Sequence, residues 1–498
     1  MKIENCKLKI NIDIQELLTK IKVYNPNVDS NLIQRAFDLT SVAHINEKQA
    51  DGTPFVEHSL GVALILADLK VDQNALAAAL LHDVLEHTNL SKKDLADEFN
   101  PEIANLVDDV STSQRIKTKA EGEKQVDNFR KLLIATAKDF RVILIRLSEE
   151  LYNLMHLESL PQKERLPTTQ KAFCIYAPLA EKVGLNYFKW QIEDWAFKYQ
   201  NHEAHTRIQQ FLNQTLTERE KYIRETVEII KKQLQKHHLA AQVFGRAKHI
   251  YSIYQKILRY QKENKTADLS PERIMDQLGF TILVDSGDQC YLTLGVIHKL
   301  WQPIPQHFVD YITHPKPNGY RSLHTTVLGP QGKIIEIQIK TFQMHEYNEY
   351  GPASHIFYKQ QNTQYAKPGQ EKINWLKNVI FWQKVQNQQE FMENLKADIL
   401  GDRILVFTPK GDLIDLPKDA SPLDFAYSVH TNLGNSCVGV KVNEKMVPLD
   451  YKLQNGQVCE IILAKKPKGP SADWLRLVRT PYAKGRIKKW LKENADNH

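Results

Sequence analysis

Cysteine is scarce in this chain. Five are scattered through 498 residues, at positions 6, 174, 290, 437 and 459, with no CxxC pair among them. So sparse and odd a count excludes a disulfide scaffold and offers no zinc-knuckle spacing. It fits reduced thiols, and a cytoplasmic location is expected. Long apolar runs are missing too. None approaches the ~20 residues that a bilayer-spanning helix needs, so no membrane partner is expected. The opening MKIENCKLKINI lacks the extended apolar core of a secretory signal.

What is present is an ordinary globular composition, 42% apolar and 25% charged. That supports real cores and about three domains, and it excludes disordered and collagen-like classes. The formal charge is +7, and it sits at one end. Residues 464–498 carry ten Lys and Arg against Asp473, Glu493 and Asp496, which leaves the rest neutral overall. With Trp474, Tyr482 and Trp490 interleaved, this basic tail could meet nucleic acid through phosphates and stacking. A solvated basic helix is the plainer reading.

Residues 1 to about 235 read as helical, because GVALILADLK and NALAAALLHDVLEH are rich in Ala and Leu with few β-branched runs. Asn100-Pro101 and Leu160-Pro161 mark breaks or new starts. From about 240 to 360 the texture changes. GFTILVD (279–285) reads as a strand and TTVLGPQGKIIEIQIKT (325–341) as a hairpin turning at PQG. Residues 365–400 return to helix. Residues 401–463 read as a small β-rich module in which ASPLDFAYSVH forms a helix capped by Ser421, with Pro422 in its first turn.

Two constellations carry chemistry. His82 and Asp83 end the apolar run AAALL, where a buried polar pair is costly without partners. Imidazole plus carboxylate suits a divalent ion such as Mn²⁺; for the pair taken alone, a hydrogen-bonded core histidine is the better reading. His58 begins a helix, Glu86 lies one turn after His82, and Glu149 and Asn153 share a helical face, with His156 nearby. The second constellation is GRAKHIYSIYQKILR (245–259). On a helix, Lys248, Ser252, Lys256 and Arg259 share one face that could clamp a triphosphate. IIEIQIK (334–340) alternates, with Ile335, Ile337 and Ile339 on one face and Glu336, Gln338 and Lys340 on the other. Asp276 leads into the GFTILVD strand, and two carboxylates near a basic helix suit Mg²⁺-assisted nucleotidyl or phosphoryl chemistry. Lys316, Asn318, Tyr320 and His324 follow on a loop, where the tyrosine could stack on a base.

These motifs resemble the RelA/SpoT homologues, the long enzymes that make and degrade the alarmone (p)ppGpp in the stringent response. GTPFVEHSL, LLHDVLEHT, LSEELYNLM and IYAPLAEKVG resemble their HD-type phosphohydrolase domain. That resemblance implies His58, His82, Asp83 and Glu149 as ligands of Mn²⁺, Asn153 as a substrate contact and Glu86 as a catalytic acid. The chain departs from the pattern at several positions. Glu149 stands for an aspartate, His87 for the second acid of an acidic pair, Gln49-Ala50 for Arg-Lys, Tyr152 for histidine and Met155 for arginine.

GRAKHIYSIY, PKPNGYRSLHTTV, EIQIKT and MHEYNEYGPASH resemble the (p)ppGpp synthetase domain of the same family. The implied fold is nucleotidyltransferase-like α/β, and the implied reaction moves pyrophosphate from ATP to the 3′-hydroxyl of GDP or GTP. Asp276 would hold Mg²⁺, and Glu336 would serve as general base or second carboxylate. Arg246, Lys248 and Lys256 would hold ATP phosphates; Lys316 and His324 would hold those of the acceptor. Tyr320 would stack on guanine, with His249, Ser252, Asn318, Gln338, His345 and Glu349 around them. Thr281 and Arg321 depart from the pattern, and ENKTADLSPE is inserted before Asp276.

Residues 401–463 resemble the TGS module, which implies a β-grasp fold. His430 falls at the histidine implicated in contacting deacylated tRNA on the ribosome. The expected order is an all-helical HD-type domain over 1–200, a helical linker over 201–235 and a synthetase domain over 236–360. A second helical linker over 361–400, the TGS module over 401–463 and a basic helical tail over 464–498 follow. The expected function is a GTP diphosphokinase that also hydrolyses (p)ppGpp. Three other readings stand beside it: a synthetase with a degenerate, regulatory HD domain; a non-catalytic tRNA- or ribosome-binding regulator; and an HD phosphohydrolase acting on another nucleotide.

Overall fold

The computed structural model describes residues 14–49, 52–112, 131–214, 216–264, 278–316, 318–351, 403–409, 413–454, 457–464 and 469–493. Asp276, Ala50 and the stretch 365–400 expected to be helical lie outside the described residues, and so does the side chain of Arg259. The described residues up to 111 and those of 140–351 belong to one compact unit, and Thr112 with those of 131–139 and 403–493 to another.

The first unit opens with helices α1 (Ile14–Tyr24), α2 (Ser30–Ala43), α3 (Val56–Ala67), α4 (Gln73–Leu81), α5 (Val84–His87), α6 (Lys92–Glu98), α7 (Pro101–Thr112) and α8 (Arg141–Met155). Helix α4, QNALAAALL, is buried from Ala75 through Leu81. A helix apolar all round belongs at the centre of a bundle. Asp72 caps it by accepting from the Ala75 N–H at 3.0 Å, and Arg141 at the start of α8 holds both Asp72 oxygens at 3.2 and 3.1 Å. Helices α3 and α8 touch where α3 has no side chain, because the Tyr152 ring lies where a Gly61 Cβ would be.

The chain continues through α9 (Gln162–Lys171), a π-helical turn (Ala172–Tyr176), α10 (Ala177–Lys182), α11 (Asn186–Gln200), α12 (His202–Gln214) and α13 (Leu216–Lys236). Helix α11 packs against α8 and α10 on one side and against two elements of the following α/β half on the other.

That half contains β1 (Gln242–Ala247), α14 (Ile250–Asn264), β2 (Leu278–Val284), α15 (Gly287–Leu300), β3 (Val309–Asp310), β4 (Leu323–Leu328), β5 (Ile334–Thr341) and α16 (Phe342–Tyr350). The five strands lie in the order β1-β2-β5-β4-β3. β2 and β5 are parallel and the other pairs antiparallel. Strict alternation puts Phe280, Ile282, Val284, Ile335, Ile337, Ile339, Leu323 and Val327 into one core with α13 and α15. The opposite face is polar. On it the register lines up Arg246, Gly279, Glu336 and Thr326 across four strands, and Phe244, Thr281, Gln338 and His324 in the next row. β1 is absent from the sequence expectations. Gly245 and Arg246 therefore sit on a strand rather than at a helix start, and Lys248 lies in the turn before α14. Of the expected cationic face, Ser252, Lys256 and Arg259 are within the helix proper, and Lys248 is not.

The second unit holds hairpin β6 (Arg403–Phe407) and β7 (Leu413–Pro417), helices α17 (Pro422–Val429) and α18 (Thr431–Asn435), and a sheet of β8 (Cys437–Val442), β9 (Lys445–Val447) and β10 (Cys459–Leu463). Helices α19 (Trp474–Leu477) and α20 (Pro481–Glu493) follow. Ser421 caps α17 in a capping box with Asp424, and Pro422 occupies the first turn. Asp424 is fully buried. It also accepts from the backbone N–H groups of Arg479 and Thr480, at 2.9 and 2.7 Å, and from the Thr480 hydroxyl at 2.7 Å. Val478, Ala483 and Ile487 enter the same core as α17 and β8, with Trp474 and Tyr482 packed against it. The third tail aromatic, Trp490, packs its ring against Gly469, where a Cβ would be.

Replacing Gly61 by Ala forces a methyl group into the Tyr152 ring, an overpacking expected to cost about 1–3 kcal/mol. Denaturant unfolding of the full chain should show the loss, and Tyr152→Ala in the same chain should remove most of it. An equal cost of Gly61→Ala with and without Tyr152 would show that the two do not meet.

Candidate functional site

The helical half gathers four acid–base groups. His58 stands in the first turn of α3, His82 ends α4, Asp83 starts α5 and Glu149 lies mid-way along α8; all four are buried. The ligand atoms of His58, His82 and Glu149 lie within 4.8 Å of one another. The two Nε2 atoms are 3.3 Å apart, and Asp83 Oδ2 is 3.0 Å from His82 Nε2 and 3.7 Å from His58 Nε2. His82 Nδ1 lies 2.8 Å from the Ala79 carbonyl. That contact orients the ring and directs Nε2 at the cluster, as an outer partner does for a metal-binding histidine.

Burial opposes charge throughout. It pushes the His58 imidazole down to about 4. Burial acts the same way on His82, but Asp83 beside it outweighs this and raises His82 to about 9. Burial likewise disfavours ionised Asp83, yet the His82 charge and hydrogen bond hold its carboxyl well below the usual range. Two imidazoles and two carboxylates crowded around one point fit a divalent transition-metal ion, which would replace the shared proton.

The other expected groups in this half are placed differently. Asn153 lies one turn beyond Glu149 on α8. Glu86 is not among the converging donors; it accepts a hydrogen bond from Ser111 Oγ at 3.1 Å. Arg146 donates to Glu149 Oε2 and, through its other terminal nitrogen, to the Tyr176 hydroxyl at 3.2 Å. Glu150 is buried beside them with Oε1 unpartnered, and burial raises its carboxyl to about 8. Arg146, Tyr176 and Glu150 are absent from the sequence expectations. Only the burial of a helix charged at three of five positions could have signalled them.

The second cluster lies on the polar face of the five-stranded sheet. Lys248 Nζ donates to Glu336 Oε2 at 2.6 Å, and His324 Nδ1 is 3.5 Å from Glu336 Oε1. The Tyr320 hydroxyl lies 2.8 Å from His324 Nε2 and 3.3 Å from Gln338 Oε1, which Lys340 also reaches at 3.3 Å. The His324 hydrogen bond, joined by Lys248 and opposed by burial, holds the Glu336 carboxyl well below the usual carboxylate range. Lys316 Nζ sits 5.2 Å from the Tyr320 ring centre. Lys340, unassigned by sequence, is buried, and burial pushes its ammonium down to about 8.

Arg246 Nη1 donates to His249 Nε2 at 2.6 Å. His249 stacks on Trp190 of α11 with ring centres 4.1 Å apart, and its Nδ1 faces Asp194 at 3.7 Å. Burial, with Arg246 adding to it, pushes His249 down to about 4, so it accepts as a neutral ring. Asn318 donates to the Glu181 carbonyl at 3.2 Å, holding its loop against α10. His345 and Glu349 face each other at 4.0 Å on α16. Ser252 and Lys256 lie on α14. In the second unit His430 is exposed between α17 and α18, with Nδ1 accepting from the Asn432 N–H at 3.2 Å.

Residues 36–186 match the family described as HD domain, 245–363 the region found in RelA / SpoT proteins, and 404–463 the TGS domain. The "GTP pyrophosphokinase" of Myxococcus xanthus is 39% identical over an alignment covering 95% of this chain and 62% of that protein. The "Guanosine-3′,5′-bis(diphosphate) 3′-pyrophosphohydrolase" of Aquifex aeolicus is also 39% identical, over 97% of this chain and 67% of that protein. A "GTP pyrophosphokinase" of Streptomyces antibioticus is 36% identical, with 97% and 59% covered. The chain spans between 59% and 67% of the length of these curated relatives. With these three regions in this order and relatives aligned along nearly its whole length, the chain is a long-type member of the RelA/SpoT family.

Proposed function

We propose that the chain makes (p)ppGpp by transferring pyrophosphate from ATP to the 3′-hydroxyl of GDP or GTP, and that its helical half hydrolyses (p)ppGpp to GDP or GTP and pyrophosphate. The relatives' names, which include both a pyrophosphokinase and a pyrophosphohydrolase, support both halves of this reading. The observation that carries the synthetic half is Glu336 on the polar sheet face, flanked by a lysine at 2.6 Å and an imidazole at 3.5 Å.

In the transfer, the acceptor oxygen bonds to the β-phosphorus of ATP. The bond from that phosphorus to the α,β-bridging oxygen breaks, AMP leaves with that oxygen, and the hydroxyl proton must be taken up. Glu336, held below the ordinary carboxylate range, is a weak base while Lys248 and His324 engage it. It therefore suits the role of second carboxylate beside Asp276, the two holding Mg²⁺. That ion, when bound, would offset charge on the phosphates. Glu336 becomes a stronger base once Lys248 turns to a phosphate. Arg246 and Lys256 would join Lys248 on the ATP phosphates, and Lys316 and His324 would take those of the acceptor. Stacking of guanine on Tyr320 requires Lys316 to leave its place over that ring.

In the helical half, His58, His82, Asp83 and Glu149 would hold Mn²⁺. That ion, when bound, would lower the pKa of a water. Asn153 would contact substrate and Glu86 would act as acid from the α5 side. A second reading, in which this half is regulatory and only synthesis is catalysed, is favoured by one contact: Arg146 already occupies a Glu149 oxygen. In the cytoplasm, the exposed His430 and the basic α20 would meet deacylated tRNA or the ribosome.

For synthesis, Glu336→Gln and Asp276→Asn should each lower AMP formation from ATP plus GDP at least about a hundredfold. Unchanged turnover in either variant removes that residue from the site. For hydrolysis, purified ppGpp should release pyrophosphate with Mn²⁺ but not with chelator, and His82→Ala should abolish the release. No release from folded, metal-loaded protein would leave the regulatory reading.

A further inference from the structure

A second set of potential ligands lies outside the His58–His82–Glu149 cluster. His44 ends α2, Glu47 follows three residues later, and His87 ends α5. Their ligand atoms lie within 4.8 Å of one another. Glu47 Oε2 is 2.7 Å from His44 Nδ1, and His87 Nδ1 is 3.0 Å from both Glu47 oxygens. The two imidazole centres are 4.8 Å apart.

The backbone that presents these groups is well fixed. The Glu47 N–H donates to the His44 carbonyl at 3.0 Å, and the Phe55 N–H donates to the Glu47 carbonyl at 3.0 Å. Phe55 lies against both imidazoles, with ring centres 4.7 and 5.5 Å away, and against His58 at 5.3 Å. His44 is 2% exposed, and its Nε2 has no hydrogen-bond partner. A neutral imidazole has one N–H and one lone pair. If the proton is on Nε2, the Nδ1 lone pair faces the Glu47 carboxylate, an arrangement that a cation between them would stabilise. If the proton is on Nδ1, the lone pair of Nε2 is buried without a donor.

From this geometry we infer that His44, Glu47 and His87 form a second divalent transition-metal site, distinct from the one around His82. Two imidazoles and one carboxylate are the donor set of open zinc sites, which keep a coordination position for water or a substrate oxygen. Glu47 and His87 are each about one third exposed, so the open side faces solvent. The ligand class is a borderline ion such as Zn²⁺ or Co²⁺ rather than Mg²⁺, which prefers oxygen donors. The inference concerns binding alone and does not depend on either half of the catalytic proposal.

The test is metal stoichiometry in the full chain, stripped with chelator and dialysed against Zn²⁺ or Co²⁺. Wild type should retain one equivalent more than His87→Ala and one more than Glu47→Gln. His82→Ala should lose a different equivalent, so that His82→Ala with His87→Ala loses two. Both single substitutions lie at accessible side chains, and unchanged circular dichroism and melting temperature without metal would confirm folded protein. Equal metal content in wild type, His87→Ala and Glu47→Gln would overturn the site and leave a hydrogen-bonded His–Glu–His network. Loss of both equivalents in His87→Ala would overturn it as well, because the clusters would then be one site.

Discussion

Helix α11 is the constraint on which the larger unit depends. One side of it packs on the α8 and α10 helices of the bundle, and the other meets α14 and α16 beside the sheet. Its side chains make specific long-range bonds. Asp194 caps α14 by accepting from the Tyr251 N–H at 2.9 Å, Trp190 carries the His249 ring, and Asn186 donates to the Asn348 carbonyl at 2.6 Å. Asn348 in turn accepts from the Arg321 N–H and donates to its carbonyl, fixing the loop that carries Tyr320. Moving α11 would therefore disturb the start of α14, the cation cluster at Arg246 and the Tyr320 loop together.

Both clusters hold charge where water is scarce, and each resolves the cost in its own way. In the bundle, Asp83 and His82 share a proton in a setting that disfavours either charge alone. On the sheet, Glu336 is satisfied by Lys248 and His324, and Gly279 between Arg246 and Glu336 leaves that row open. Among the unpartnered buried polar atoms of the described residues, Glu150 Oε1 and His44 Nε2 stand at the margins of the bundle cluster. Natural chains tend to break the rules of polar satisfaction where function demands it.

Much of the fold could be read from local pattern. The alternation of IIEIQIK places Glu336 and Gln338 on the polar face, and Ser421 with Pro422 marks the start of α17, because both features depend on near neighbours. β1 could not be read that way. QVFGRA has no clean alternation, and it is a strand because it pairs with β2. The missing strand is also why Lys248 was expected on a helix. The grouping of His58, His82, Asp83 and Glu149 joins four separate helices, so periodicity could suggest the members and only the family resemblance suggested the set. Trp190, Asp194 and Arg146 were invisible for the same reason: each acts through a partner distant in the chain or through burial that sequence does not display.

Asp424 carries a consequence for how the second unit is made. Its carboxylate sits at the first turn of α17, yet three of its five donors come from Arg479 and Thr480, 55 and 56 residues later. At about 5–20 residues per second, those donors leave the ribosome roughly three to eleven seconds after the helix that needs them. During that interval the carboxylate must stay in water, because burying it with most of its bonds unmade is costly. The start of α17 and the core beneath it therefore close only when the Arg479–Thr480 segment arrives, and the order of synthesis becomes the order of assembly.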